Sequence, residues 1–247
     1  FYLGGLGLHW RSVVLRPAAI SFVGTGLAIL PFAGLSLHLL AHVAPTSAWF
    51  ITSIVGLVAY LIATIVLQKA VIAYLTLAFV LSLSTSSVNV LHLPLVWSFV
   101  SLMAVGLLAH LVTSFWPKAL PGVFAEPLDQ TAQFVTPLAL LASLTAVSSM
   151  PLGEYALVFG LAALQYFVYW VQQRDYVNET ITRVLAVVSL CLLGLQLAAG
   201  DYLFISWWIV SLICVNALYS LIRVQLDAPE SLNFERIWLC ASLAALV

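Results

Sequence analysis

The sequence predicts an all-α, polytopic integral membrane bundle: eight transmembrane helices plus a truncated ninth, joined as antiparallel hairpins. Three observations carry that prediction. First, the 247 residues are 64% hydrophobic and only 7% charged, whereas soluble domains carry roughly 25% charged residues. With a mean hydropathy of +1.14, a soluble chain would have nothing polar to cover its surface. Second, the apolar runs reach the ~20 residues a helix needs to cross a ~30 Å hydrocarbon core. They are about twice the ~10-residue alternating segments of an outer-membrane barrel. Third, the basic residues segregate to one side of the membrane once the runs are threaded in order.

Residues 1–17 form an N-terminal segment in which "FYLGGLGL" reads as the tail of a preceding span. Four membrane helices are expected in 18–115, at 18–43, 48–67, 70–88 and 94–115. In the first, Gly24, Gly26 and Ala28 offer a small face for tight helix contact, and Pro31 is expected to kink the helix. The third ends in "SLSTSS", Ser82 to Ser87, read as close packing with some fraying. Residues 116–130, "WPKALPGVFAEPLDQ", hold three prolines and two acids and are expected as a stiff cytoplasmic loop. Four more spans are expected in 131–222, at 131–149, 153–172, 182–199 and 202–222. Pro137 should kink the fifth, and Gly194 with Ala198 should give the seventh a small face. Residues 223–247 are a cytoplasmic loop and the start of the ninth helix, which has only 11 residues beyond Arg236. Both ends therefore look like cuts through a longer chain.

Threading these spans places Arg11, Arg16, Lys69, Lys118, Arg174, Arg183, Arg223 and Arg236 on one side, which is all 8 Lys and Arg residues. The opposite connections, 44–47, 89–93, 150–153 and 200–201, receive none. The positive-inside rule makes the basic side, and with it the N-terminus, cytoplasmic. Trp49, Trp97, Trp207 and Trp208 fall near outer span ends and Trp116, Trp170 and Trp238 near inner ends, where amphipathic rings concentrate.

The stretches "VVLRPAAISFVGTGLAILPFAGLSLHLL" and "AYLTLAFVLSLSTSS", within residues 13–88, carry a basic-Pro opening at Arg16-Pro17, a Gly-rich helix and a later small-residue helix. In this the chain resembles the large bacterial multi-pass proteins known as predicted membrane proteins or domains of unknown function, which repeat helical hairpins. The resemblance implies a bacterial inner membrane and a longer parent chain, and it brings no catalytic residues.

The composition bounds the chemistry as well. A net charge of −1 gives no basic surface for nucleic acid, and the apolar settings of Cys191, Cys214 and Cys240 make them packing residues. No Asp, Glu, Lys or Arg is expected in the middle of a span, which argues against a proton- or sodium-coupled transporter because such relays need intramembrane ionisable groups. HExxH, GxSxG, GxGD and Walker motifs are absent, so the reading leans away from an enzyme. Gln165, Gln196 and Asn216 are the polar residues within spans that would line a pathway; interhelical hydrogen bonding is their commoner use.

"LSLHLLAHV" holds His38 and His42 four residues apart, on one face of a helix. With His92 in an outer loop, and Glu154 or Asp201 on the same side, they are the candidate ligands for zinc or copper. His110 lies ~24 Å deeper at 1.5 Å per residue, so it cannot share a haem iron with them. The plainer reading is a set of interfacial side chains with no cofactor, leaving zinc, copper and haem as alternatives. Three functions stay open in order: a non-enzymatic scaffold or subunit of a larger membrane assembly, a transporter or channel-like protein for a neutral or lipidic solute, and an outer-face metal-binding or redox protein. The expected partners are membrane lipids and other membrane subunits or further helices of a longer parent chain.

Overall fold

The computed structural model describes residues 2–11, 20, 23–26, 28, 30–39, 44–116, 121–146, 149–225, 235–238 and 240. The described residues form helices and no strand. In chain order these are α1 (Tyr2–Arg11), α2 (Leu30–Leu39), α3 (Pro45–Leu67), α4 (Ala70–Val90), α5 (Val96–Phe115), α6 (Gly122–Leu144), α7 (Leu152–Gln173), α8 (Tyr176–Ala198) and α9 (Tyr202–Gln225). They belong to two compact units, Phe1–Thr145 and Ala146–Val247.

Six of these helices, α3, α4, α5, α7, α8 and α9, are long and apolar enough to cross a membrane. Of the expected first span, 18–43, residues 20, 23–26, 28 and 30–39 are described, the last stretch as the ten-residue α2, which is too short to cross a membrane by itself. The ninth helix lies largely outside the described residues. The expected fifth span falls in α6, a 23-residue helix that begins at Gly122, inside the stretch expected as a loop. Its first turns are amphipathic: Phe124 and Pro127 are buried while Glu126, Asp129 and Gln133 are exposed. Gln130 donates to Glu126 at 3.2 Å and Gln133 to Asp129 at 3.0 Å, i to i+4 pairs that support a helix through a proline-containing sequence. Those same polar residues lower its apolar character below that of a span.

The helix ends have local causes. Gln68, Arg174 and Ala199 take left-handed conformations, with φ of 51°, 53° and 47°. At the first two, the turned backbone N–H reaches back to Thr64 O at 2.9 Å and Trp170 O at 2.7 Å, which satisfies carbonyls the helix would leave bare. Asp175 caps α8 by accepting from the Val177 N–H at 3.1 Å.

In the first unit, hydroxyls and one glycine knit α3 to α4. The Phe79 ring lies over Gly56, where a Cβ would collide with it, and packs on Tyr60 with centroids 5.0 Å apart. Thr64 and Thr76 hydroxyls meet at 2.9 Å, and Ser82 joins both Ser53 and the Trp49 indole at 2.8 Å. The Tyr74 hydroxyl donates to Gln130 Oε1 at 2.6 Å, tying α4 to α6. The remaining hydroxyls of "SLSTSS" turn back onto carbonyls of their own helix, and α4 runs on through them to Val90.

The second unit is built on the α7–α8 hairpin. The Ser189 hydroxyl donates to Ala156 O at 2.6 Å, beside Gly160. Against α8, α9 lays Trp208 over Gly194, its indole N–H donating to Leu190 O at 2.9 Å. Gly194 and Ala198 are buried, as a small contact face requires, whereas Gly24 and Ala28 are exposed.

Candidate functional site: a balanced charge cluster beside an apolar cleft

Two helical stripes of the second unit face each other. On α8 they are Val184, Val187, Val188 and Cys191; on α9, Ile209, Leu212, Ile213 and Asn216. Each set follows the i, i+3, i+4, i+7 spacing of one helix face. The two faces do not close completely and leave a cleft of about 200 Å³, lined almost wholly by apolar surface. Arg183, Asn216 and Trp238 stand in its wall.

Arg183 organises the residues around it. One terminal nitrogen donates to Glu235 Oε1 at 2.7 Å; the other donates to Asn216 Oδ1 at 3.0 Å and Ser220 Oγ at 2.7 Å. The faces of the guanidinium lie 4.6 Å from the Tyr219 ring centroid and 5.5 Å from that of Trp238. One turn away, Arg223 donates to Glu179 Oε2 at 2.7 Å, and the Tyr219 hydroxyl donates to Glu179 Oε1. Glu179 and Glu235 are 2% and 1% exposed. A carboxylate this buried is tolerated only when paired and hydrogen-bonded. The planar fork of arginine suits that task because it serves several acceptors from one rigid group.

Two acids and two arginines cancel, so the cluster brings no net charge into a low-dielectric setting. Mechanically it fixes the register of α9 on α8 and pins the Glu235–Trp238 helical turn to both. It offers no nucleophile held by a base. It also lies at the Arg174 end of the unit, whereas Glu154, Gln196 and Asp201 lie at the other end, where the Gly153 N–H donates to Gln196 Oε1 at 3.3 Å.

The sequence expectation treated Arg183 and Arg223 as charges at the cytoplasmic margin and began the seventh span at 182. The structure starts α8 at Tyr176, so Glu179 and Arg183 occupy its first turns and are largely withdrawn from solvent. A signal was present: Glu179 and Arg183, Asn216 and Ser220, and Tyr219 and Arg223 are all four apart. Glu179 and Arg183 look like an intrahelical pair, yet each finds its ion-pair partner outside α8.

The other candidates are dispersed. Gln165 is buried in α7, Gln196 is exposed at the far end of α8, and of the three only Asn216 lines the cleft. His38 is exposed near the end of α2, and His92 is exposed in the turn after α4 with φ 52°. His42 lies outside the described residues. Among the described residues no three His, Cys, Asp or Glu side chains are grouped to hold a metal ion. His110 is buried in α5. Comparison with protein families, with curated proteins and with solved structures finds no match for this chain.

Proposed function

We propose that this chain is a non-enzymatic helical component of a larger membrane assembly, in a bacterial inner membrane, with the Arg174 end of its second unit cytoplasmic. Its six apolar helices are compatible with a multi-pass membrane protein. The observation that carries the finer reading is where the span polar groups go. Ser53 with Ser82, Thr64 with Thr76, Tyr74 with Gln130, Ser189 with Ala156, and Arg183 with its partners all join helix to helix. Polar groups spent on helix association are the mark of a packed framework, whereas a solute pathway needs them to converge on one cavity.

The test starts from native membranes extracted into polymer-bounded nanodiscs, with particle mass measured for the wild type and a Val215→Trp, Leu218→Trp variant. Both residues are exposed on α9. A Trp facing lipid is tolerated, but one in a packed subunit interface is not. The expected result is a particle containing further membrane-spanning chains in fixed ratio, lost in the variant. A particle holding a single chain, unchanged by the substitutions, would overturn the reading. The cleft between α8 and α9 favours a second reading, a protein handling a lipidic solute. Saturable movement of such a solute in proteoliposomes would favour it.

A further inference from the structure

The cleft between α8 and α9 has a length, a polarity and a position that together specify an occupant. Its walls are the facing stripes of two helices long and apolar enough to cross a membrane, so in that setting whatever fills it comes from the hydrocarbon phase or from the protein itself. The stripes run from Arg183 to Cys191 and from Ile209 to Asn216, roughly 10–12 Å along each helix at 1.5 Å per residue. About 200 Å³ of apolar space is open along that length. Left empty, it would forfeit the dispersion contacts of its lining, and water has too few polar partners there to be held.

Only one end of the cleft is polar. There Arg183 donates to Asn216 Oδ1 and its guanidinium lies over the Trp238 ring. The charge at that end is already balanced, Arg183 by Glu235 and Arg223 by Glu179. An anionic headgroup would have to displace a buried carboxylate, whereas a head of zero net charge has no such competitor.

We propose that the α8–α9 cleft is a lipid site. It takes one acyl chain of a membrane lipid whose headgroup carries no net charge, with the headgroup beside Arg183, Asn216 and Trp238. The Glu235–Trp238 turn, held by Arg183, forms the wall at that end and fixes which way the chain lies. The site does not depend on the assembly reading, because one chain alone contains all of it.

Cys191 lines the cleft, which makes it a built-in reporter. The experiment uses the full chain with Cys214 and Cys240 replaced by Ser, purified in detergent. Mass spectrometry under native conditions reads retained lipid, and N-ethylmaleimide alkylation reads access to Cys191. The lipid probes are phosphatidylethanolamine and phosphatidylglycerol. The expected result is one retained lipid per chain, preferentially the zwitterionic one. Alkylation of delipidated protein should slow at least tenfold when phosphatidylethanolamine is returned, and much less with phosphatidylglycerol. Ile213→Trp, which fills the cleft, should abolish retention while circular dichroism shows the helix content kept. If that variant does not fold, Val188→Phe serves, and the alkylation comparison needs neither. Alkylation indifferent to both lipids, or retention unchanged by filling the cleft, would overturn the site. Preferential retention of phosphatidylglycerol would overturn the neutral-head assignment.

Discussion

Replacing Arg183 with Met should destabilise the second unit strongly, because it strands a charge. Met keeps the length and apolar stem of the side chain but removes the guanidinium. Glu235, 1% exposed and with one carboxylate oxygen 2.7 Å from Arg183, would then be buried without its cation. Among the described residues no hydrogen bond reaches its second, buried oxygen, Oε2, so none of them stands ready as an alternative donor. Removing one partner of such a pair costs about 3–5 kcal/mol, against ~0–1 kcal/mol for an exposed pair. Asn216 and Ser220 lose their shared donor as part of the same event, so their contributions are not added separately.

The double variant Arg183→Met, Glu235→Met removes both charges. It should cost only about 1–3 kcal/mol, the penalty of leaving Asn216 and Ser220 without that donor. The double change is therefore milder than the single one, the opposite of additivity. The assay is equilibrium unfolding in mixed micelles on titration with dodecyl sulfate, followed by tryptophan emission and near-ultraviolet circular dichroism. These report the settings of the chain's eight tryptophans, Trp208 and Trp238 among them, whereas far-ultraviolet signal persists in isolated helices. An Arg183→Met variant within about 0.5 kcal/mol of wild type, the range of ordinary surface substitutions, would refute the reasoning. So would a double variant whose cost equals the sum of the singles.

Gly194→Ala should destabilise the α8–α9 contact by about 1–3 kcal/mol, since the new methyl would collide with the Trp208 ring that donates to Leu190 O. The same unfolding assay checks it, and Trp208→Ala should relieve the collision so that adding Gly194→Ala then costs little. Membrane orientation is checked by single cysteines placed at Asp175 and at Gly200 in a background without native cysteines. An impermeant maleimide added outside intact cells should label position 200 and spare position 175. The reverse pattern would overturn the assignment of the basic end to the cytoplasm.

How much of this was legible in the sequence differs from element to element. The helices α3, α4, α5, α7 and α9 lie close to where apolar run length placed them, because run length reports the hydrocarbon thickness directly. Apolar run length starts the seventh span at 182, whereas α8 begins at Tyr176, because Glu179 and Arg183 read as charges at the cytoplasmic margin. Charge in a sequence does not say whether a partner is waiting, and Glu235, 52 residues from Arg183 in sequence, is not a neighbour that local spacing can reveal. The beginning of α6 was misread for a related reason. Three prolines spoke for a loop, while the i to i+4 bonds of Gln130 and Gln133 support a helix through one of them.

By itself, the sequence determined the all-helical class and the lengths of the long apolar helices among the described residues, since these follow from the cost of leaving backbone polar groups unpaired in an apolar setting. Only the tertiary structure decided which polar residues meet. Asn216 was one of three dispersed candidates until α9 set it against Arg183, and the cleft beside it belongs to neither helix alone. Apolar periodicity tells a helix which face to bury but not how closely the opposing face will fit. That fit depends on side-chain volumes meeting across two helices, and here it leaves room between Val188 and Ile213.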